Sequence, residues 1–507
     1  MDPDASTDPS SPRVLVLGAT GYVGGRLVPE LLAAGYRVRC ASRSRRSLAS
    51  LPWAHRIEAV EADLFDPSSL AEAFHEVDQV VYLVHSLDVD GFEEIERTCA
   101  ANARRAAEQA GVHHIVYLSG LGDDAEELSP HLRSRHTVGR ELADGTVPVT
   151  ELRAAVVLGA GSASFEMLRN LVEILPVMVV PRWVSHTRVQ PIAVSDVVTY
   201  LLAAVEQPQP DGHRVVEIGG PDAMTYRELM DTYARVAGLR RRLIRPVPLL
   251  SPRLSSHWVN LVTPLPRKLA SSLIDSLMHD VVVTDDSRLE LSHHQPLPAS
   301  RAIEVALSSV ANLDIPTHWS GRTVREQLGR AKPWDPEWSG GAHYEECNEM
   351  LVDAPVDVVR EVVRGVGGKQ GWYGFGPLWA VRGLIDKAFG GAGLRRGRRH
   401  PDEIGVGEAL DFWRVDELDD AVFRLRAEMK LPGDAWLEWT TLPHGRRTQL
   451  VQRARYVPRG LWGRAYWWAL VPVHKVMFPV MIRRIAEAAE QLAGARSQPA
   501  DASEVAA

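Results

Sequence analysis

Val14-Leu15-Val16-Leu17-Gly18-Ala19-Thr20-Gly21-Tyr22-Val23-Gly24 decides how this chain is read. A short apolar run ends in three glycines spaced three apart, and a helical pattern follows at once. The stretch predicts a strand, a tight turn and a helix N-terminus. Glycines tolerate positive φ and let a ligand approach the backbone. The helix start offers N–H groups and the positive end of a dipole, which together suit a pyrophosphate. The spacing is GxxGxxG rather than the more common GxGxxG, but the flanking strand and helix both point to a dinucleotide site.

Working outward, the chain alternates strand-like and helix-like segments as far as about residue 203. Val14–Leu17, Arg37–Ala41, Ile57–Val60, Gln79–Val84, His114–Leu118 and Val149–Ala154 read as strands. Gly25–Ala34, Ser68–His75, Phe92–Gln109 and Ser134–Ala143 read as helices. Such alternation predicts a parallel sheet covered on both faces, an α/β doubly wound dinucleotide fold. Farther on, Glu217–Asp222 reads as a strand running into a turn, followed by a helix over Tyr226–Ala237.

With 507 residues the chain is too long for one ordinary core, so two or three domains are expected. A net charge of −8 carries no basic footprint for nucleic acid. Three scattered cysteines, Cys40, Cys99 and Cys347, exclude a disulfide framework and a Cys-type zinc site. The N-terminus lacks the basic and apolar regions of a signal peptide. The apolar stretches near 171–180 and 469–482 are short or broken by Pro176, His474 and Lys475. No transmembrane segment and a cytoplasmic location are therefore expected. The expected divisions are a tail over 1–12, a nucleotide-binding domain over 13–330, a linker over 331–341, a second domain over 342–492 and a tail over 493–507.

The first two strand–helix units resemble the atypical and extended short-chain dehydrogenase/reductases, and are similar to their NmrA-like members. Gly18-Ala19-Thr20-Gly21-Tyr22-Val23-Gly24 matches the GATGxxG turn of that superfamily. The resemblance covers about residues 13–310 and implies that the backbone over Thr20–Val23 holds the pyrophosphate. It implies that Asp63 and Leu64 touch the adenine ring and that Val84 and His85 border the nicotinamide ribose. It places Ser119, in Leu118-Ser119-Gly120, where the family carries its catalytic serine. His85 also reads as a capping residue. The second strand ends in Ser42 and Arg43, where an NAD site would put Asp or Glu for the ribose 2′-OH. A guanidinium grips a 2′-phosphate instead, so NADP is favoured over NAD.

The match breaks at the catalytic pair. The family needs Tyr and Lys four residues apart on one helix, and no YxxxK lies between Ser119 and Thr150. Aligned on Val149–Arg153, His131 takes the place of the tyrosine and Arg135 that of the lysine; His136 and Arg140 form a second pair at the same spacing. A histidine can serve as a general acid near neutral pH, whereas an arginine cannot be deprotonated. Ordinary alcohol–ketone chemistry is in doubt, and hydride transfer to a quinone-like or conjugated acceptor needs less proton help. Asp196, in Val194-Ser195-Asp196-Val197, reads as a helix cap. Arg153, Gly159, Ser162, Ser164, Phe165 and Met167 fall where the family lines its substrate pocket.

Composition shifts toward the C-terminus, where most of the 14 tryptophans lie. Leu351–Arg364 reads as a turn into a helix. Strand-like runs follow at Ala409–Val415, Ala421–Met429, Ala435–Thr441 and Thr448–Tyr456, then a long helix over Trp462–Ala493. Ala354–Arg360, Gly371–Gly376, Leu394–Arg399 and Asp411–Val415 make this part resemble a START-like α+β helix-grip domain, of a kind found fused behind atypical reductases. The resemblance implies an apolar cavity lined by aromatic side chains. The stretch Leu461–Ile482 reads as packing across the sheet, with lying on a membrane surface as the alternative.

Two functions follow. One is an NADPH-dependent oxidoreductase acting on a small apolar or quinone-like substrate, with Ser119, His131 and Arg135 at the reacting end. The other is a protein that senses NADP or assists assembly and keeps the cofactor as a structural ligand. Possible homo-oligomerisation completes the expectations.

Overall fold

In the computed structural model the described residues are 10–49, 51–85, 91–122, 128–208, 210–247, 267–311, 343–367, 371–373, 404–429 and 431–497. The start of the N-terminal tail, the 331–341 linker, Gly374 to Gly376 and the 394–399 basic run lie outside them. The chain divides into two compact units, Met1–Gly341 and Ala342–Ala507.

The first unit is built on seven strands: β1 (Arg13–Leu17), β2 (Arg37–Ser42), β3 (Glu58–Glu61), β4 (Gln79–Tyr82), β5 (His114–Gly120), β6 (Val149–Ala154) and β7 (His213–Ile218). All pairs are parallel and the spatial order is β7-β6-β5-β4-β1-β2-β3. Every residue of β1 and β6 is buried, as expected for strands covered on both faces. Alternation sorts their side chains between two cores. Val14, Val16, Val116 and Leu152 meet α1 (Gly24–Ala33) and α6 (Val194–Glu206) on one side. Leu15, Leu17, Tyr82 and Tyr117 meet α2 (Pro67–Phe74), α3 (Phe92–Ala110) and α4 (Pro130–Ala143) on the other.

A third core joins α5 (Ala163–Ile174), α7 (Tyr226–Val236), α8 (Arg267–Ser276) and α9 (Ala299–Ala311). Phe165 and Met167 belong to it. Phe165 is wholly buried against Tyr233, at 5.9 Å between rings. These two residues therefore pack a core and do not line an open pocket, because α5 turns that face inward. Ser162 caps α5, its Oγ accepting from Phe165 N. Asp196 is not a cap either. It is buried in the first turn of α6, where its carboxylate accepts from His294 Nε2 at 3.1 Å and Leu297 N at 2.7 Å, holding a distant loop.

The second unit is a six-stranded antiparallel sheet of β8 (Tyr344–Val352), β9 (Ala409–Leu410), β10 (Trp413–Leu418), β11 (Val422–Ala427), β12 (Gly433–His444) and β13 (Arg447–Pro458). The order β8-β13-β12-β11-β10-β9 pairs the first strand with the last. Strand β8 was not anticipated: its burial alternates between half-buried and exposed as far as Leu351, with only Val352 reaching the core, so it lacks the apolar period of a core strand. The expected strand Ala409–Val415 is split in two at Asp411, which takes a positive φ of 55°.

Helix α10 (Val356–Arg364) follows β8. Helix α11 (Gly460–Ser497) packs Met477, Met481, Ile485 and Ala489 onto the sheet. It runs past residue 493, so the tail starts later than the sequence suggests. By length and composition α11 could cross a membrane; Pro472, His474 and Lys475 disguise this in the sequence. Among the aromatic residues, Trp372 stacks on Phe412 and Phe423 on Trp439, and the latter pair also borders a small cavity with Arg360, Val363 and Thr441.

One feature of the first sheet titrates. His114, fully buried at the start of β5, shares a 2.9 Å hydrogen bond with Thr150 Oγ1. Burial pushes its imidazole down to about 4. Below about pH 6.5 the unfolded imidazole takes up a proton that the native one refuses, so stability falls as pH drops from there toward the native value. We expect His114→Gln to flatten the loss of stability between pH 7 and pH 5, measured by denaturant unfolding. An identical slope in the variant would assign the acid sensitivity to other groups.

Candidate active site

The strand order reverses between β1 and β4, which opens a crevice at their carboxyl ends. Gly18 leaves β1 at φ +91°, and a Cβ there would stand 2.9 Å from the Leu83 carbonyl oxygen. A Cβ on Gly24 would stand 2.3 Å from the Gly18 oxygen. Both glycines are thus required for the turn to lie against the sheet and for α1 to start beside it. Gly21 N donates to Gly18 O at 2.9 Å and closes the turn. Thr20 and Gly21 remain exposed on the outside of the turn.

No side chain caps α1 and no acid occupies its first turn, so its positive end faces the crevice uncompensated. Ala19 and Gly24 are buried; Tyr22 and Val23 are half-buried. The Arg26 guanidinium covers the Tyr22 ring at 4.0 Å and donates to Tyr22 O and Ala160 O, bracing the turn from behind. This geometry fits a dinucleotide pyrophosphate.

The other expected cofactor residues sit at the same ends of the sheet. Half-buried Ser42 closes β2, and Arg43 beyond it is exposed with no hydrogen bond or ion pair among the described residues. Its neighbour Arg45 lies within 3.7 Å of Glu72 in an exposed pair. Asp63 follows β3 and turns its carboxylate onto Phe65 N at 2.9 Å. Leu64 O accepts from Asn102 of α3 at 2.7 Å, which fixes this loop to the helix. Val84 and His85 follow β4, half-buried and exposed respectively.

The reacting end is arranged by α4, which begins at Pro130, four residues before the sequence suggests, because Ser129 Oγ caps it through Leu132 N. His131 therefore stands in the first turn of the helix. Its Nδ1 is buried with no hydrogen-bond partner among the described residues. Burial first, then the Arg135 cation and His85, push the His131 imidazole down to about 3. His131 is thus neutral at physiological pH. In that form it can orient an acceptor.

Arg135 is buried one turn along. Burial works against its cation, Glu96 nearby offsets that cost, and the guanidinium stays charged. Tyr117 OH donates to the Arg135 carbonyl at 3.1 Å, and Ser134 Oγ donates to Glu96 at 2.5 Å. His136 belongs to the structure rather than the chemistry: its Nε2 bonds Gly120 O at 2.9 Å. Arg140 is exposed on the helix surface.

Ser119 ends β5 and its Oγ is buried. It lies near enough to Glu151 to favour the carboxylate, yet makes no well-formed hydrogen bond. Glu151 itself is a residue the sequence reading passed over. Fully buried on β6, it accepts from Arg153 Nε at 2.8 Å and His213 Nε2 at 2.9 Å. Burial opposes its charge, but those bonds and Ser119 hold the carboxyl below the usual carboxylate range. A Cβ on Gly139 of α4 would stand 2.2 Å from the Glu151 carboxylate, so the helix lies directly on it. Arg153, expected at the substrate pocket, serves this buried cluster. The signal available in sequence was the i, i+2 spacing of Glu151 and Arg153, which puts both on one face of β6.

Comparison with known proteins follows the same division. Residues 18–155 match the NAD(P)H-binding family, and residues 338–481 match a protein family of unknown function, DUF2867. The photosystem II assembly factor Ycf39 of Trieres chinensis is 23% identical over 48% of this chain and 75% of its own length. The ceramide reductase of Caulobacter vibrioides is 28% identical over 49% of this chain and 78% of its own. The triphenylmethane reductase of Citrobacter sp., solved with NADP(H), superposes with a TM-score of 0.48 at 21% identity, covering 58% of this chain and 99% of that one. The chain therefore carries an NAD(P)H-binding segment within its doubly wound first unit and a DUF2867 segment in its second.

Proposed function

We propose that this protein is an NADPH-dependent reductase of an apolar, quinone-like or conjugated acceptor. The observation that carries the proposal is the constitution of the reacting end: a neutral His131, a fixed Arg135 cation and the Ser119 hydroxyl replace the usual tyrosine and lysine. When bound, NADPH supplies the hydride. The chain's own residues bind and orient. The backbone over Thr20–Val23 and the uncapped end of α1 hold the pyrophosphate, and Arg43 takes the 2′-phosphate as a bidentate donor. Asp63 and Leu64 border the adenine, while Val84 and His85 border the nicotinamide ribose.

Ser119 and His131 then direct hydrogen bonds at the acceptor oxygen without delivering a full proton. An acceptor that delocalises the incoming negative charge needs no more than that. The relative named ceramide reductase is in keeping with an apolar substrate. We further propose that the second unit is a START-like helix-grip domain. Its support is the pairing of the first strand with the last and the long terminal helix laid across the sheet.

A second reading has its own support. The missing tyrosine and the relative named as an assembly factor favour a non-catalytic protein that keeps NADP as a structural ligand. Turnover separates the two. NADPH oxidation against a panel of quinones should be measurable for the reductase and absent for the other, with nucleotide bound in both.

Calorimetry should show NADPH binding more tightly than NADH. Arg43→Ala should weaken NADPH about tenfold or more, the scale of one charge-assisted hydrogen bond, and leave NADH unchanged. Equal affinity of the variant for NADPH would remove Arg43 from the site. His131→Ala should slow quinone reduction roughly tenfold, within the usual range for a lost orienting or proton-sharing group. The wild-type rate should show no inflection between pH 6 and 8 that disappears in this variant; such an inflection would restore His131 as an acid.

A further inference from the structure

We propose that the outer face of the first half of α11 docks on an anionic lipid bilayer surface. This inference goes beyond the nucleotide site and does not depend on the reaction assigned to it. The inner face of the helix is fixed first. Trp467 is sandwiched between Tyr344, at 5.4 Å and 6°, and Tyr456, at 5.6 Å and 7°. A Cβ on Gly463 would stand 2.3 Å from the Pro432 carbonyl oxygen, so the helix start presses on the preceding loop. Met477, Phe478 and Met481 continue the same buried side.

That anchoring leaves the opposite side outward. Leu461, Trp462, Ala465, Trp468, Ala469, Pro472, Val473 and Val476 are all exposed and all apolar, and they recur at helical spacing. Trp462 is 80% exposed, Trp468 63% and Val476 58%. One to two turns later the same face becomes charged, with Arg483, Arg484 and Glu487 exposed. Lys475 flanks the apolar part. Contiguous exposed apolar patches rimmed by polar groups are often functional. Paired tryptophans beside basic residues suit the boundary between acyl chains and anionic headgroups.

A bilayer is favoured over a second copy of the chain on area. Sixteen helical residues span about 24 Å, and at a helix width of about 10 Å the footprint is roughly 240 Å². A stable protein interface needs about 800 Å² from each partner. A lipid surface needs no shape-complementary partner of that size. Since α11 is held along its inner side by its own sheet, the contact is one of lying on the membrane rather than crossing it.

The test is co-sedimentation of the full chain with vesicles of phosphatidylcholine, with and without phosphatidylglycerol. The protein should bind the anionic vesicles, and binding should weaken in high salt because the basic residues contribute. Trp462→Ser with Trp468→Ser should reduce binding roughly tenfold or more, as expected for removal of the largest apolar groups. An unchanged circular dichroism spectrum, with the thermal transition of the second unit retained, reports that the variant is still folded.

A wild-type measurement keeps the proposal open to refutation whatever the variant does. Brominated lipids should quench the tryptophan fluorescence of the bound protein, and Trp462→Phe with Trp468→Phe should remove that quenching while binding persists. No sedimentation with anionic vesicles would overturn the proposal. So would a concentration-dependent dimer, seen by analytical ultracentrifugation, that the serine substitutions abolish; the face would then join two copies of the chain.

Discussion

The first unit depends on how closely the β1–α1 turn approaches the end of β4. A Cβ on Gly18 would meet the Leu83 carbonyl, and a Cβ on Gly24 would meet Gly18 itself. These contacts set the helix start beside the strand ends, and the reversal of strand order between β1 and β4 makes that place a crevice. Everything assigned to the nucleotide follows from this arrangement: an uncapped helix dipole, an outward turn backbone, and the ends of β2, β3 and β4 brought to one edge. A side chain larger than hydrogen at either glycine separates the turn from the sheet.

The reacting end shows how burial changes the meaning of a residue. Histidine is the side chain most suited to proton transfer near neutrality, yet His131 lies where desolvation and a neighbouring cation suppress its charged form. Arg135, one turn away, keeps its charge because a guanidinium holds its proton and Glu96 lies near it. The pair reproduces the spacing of the familiar tyrosine and lysine with a neutral group in the first place and a permanent cation in the second. Behind them, the buried Glu151 and Arg153 form an ion pair that the exposed His213 extends to the surface and α4 covers at Gly139. Losing one member of such a pair leaves an uncompensated buried charge, so the register of β5, β6 and β7 is tied to the position of α4.

The second unit uses aromatic residues in two ways. Phe423 on Trp439 and Trp372 on Phe412 fill the core, and Trp467 between two tyrosines locks α11 to the sheet. Trp462 and Trp468 of the same helix point outward. The long helix is thus apolar nearly all round in its first half, which explains both its membrane-like composition and its attachment to a folded domain.

The amino-acid sequence by itself determined the doubly wound fold, its element boundaries within a few residues, and the nucleotide turn. Strands buried on both faces and glycines at fixed spacing leave local signatures in the chain. The place of Arg43 just beyond the end of β2 was also legible, because Ser42 closes that strand. Tertiary structure alone decided the rest. Burial, not residue type, made His131 neutral and Asp196 a loop anchor. Packing turned Phe165 and Met167 into a core. Strand β8 escaped notice because its partner is β13, about a hundred residues away, and its own pattern reaches the core only at Val352. The split between the inner and outer faces of α11 is likewise fixed by what the helix rests on, which no periodicity within the helix records.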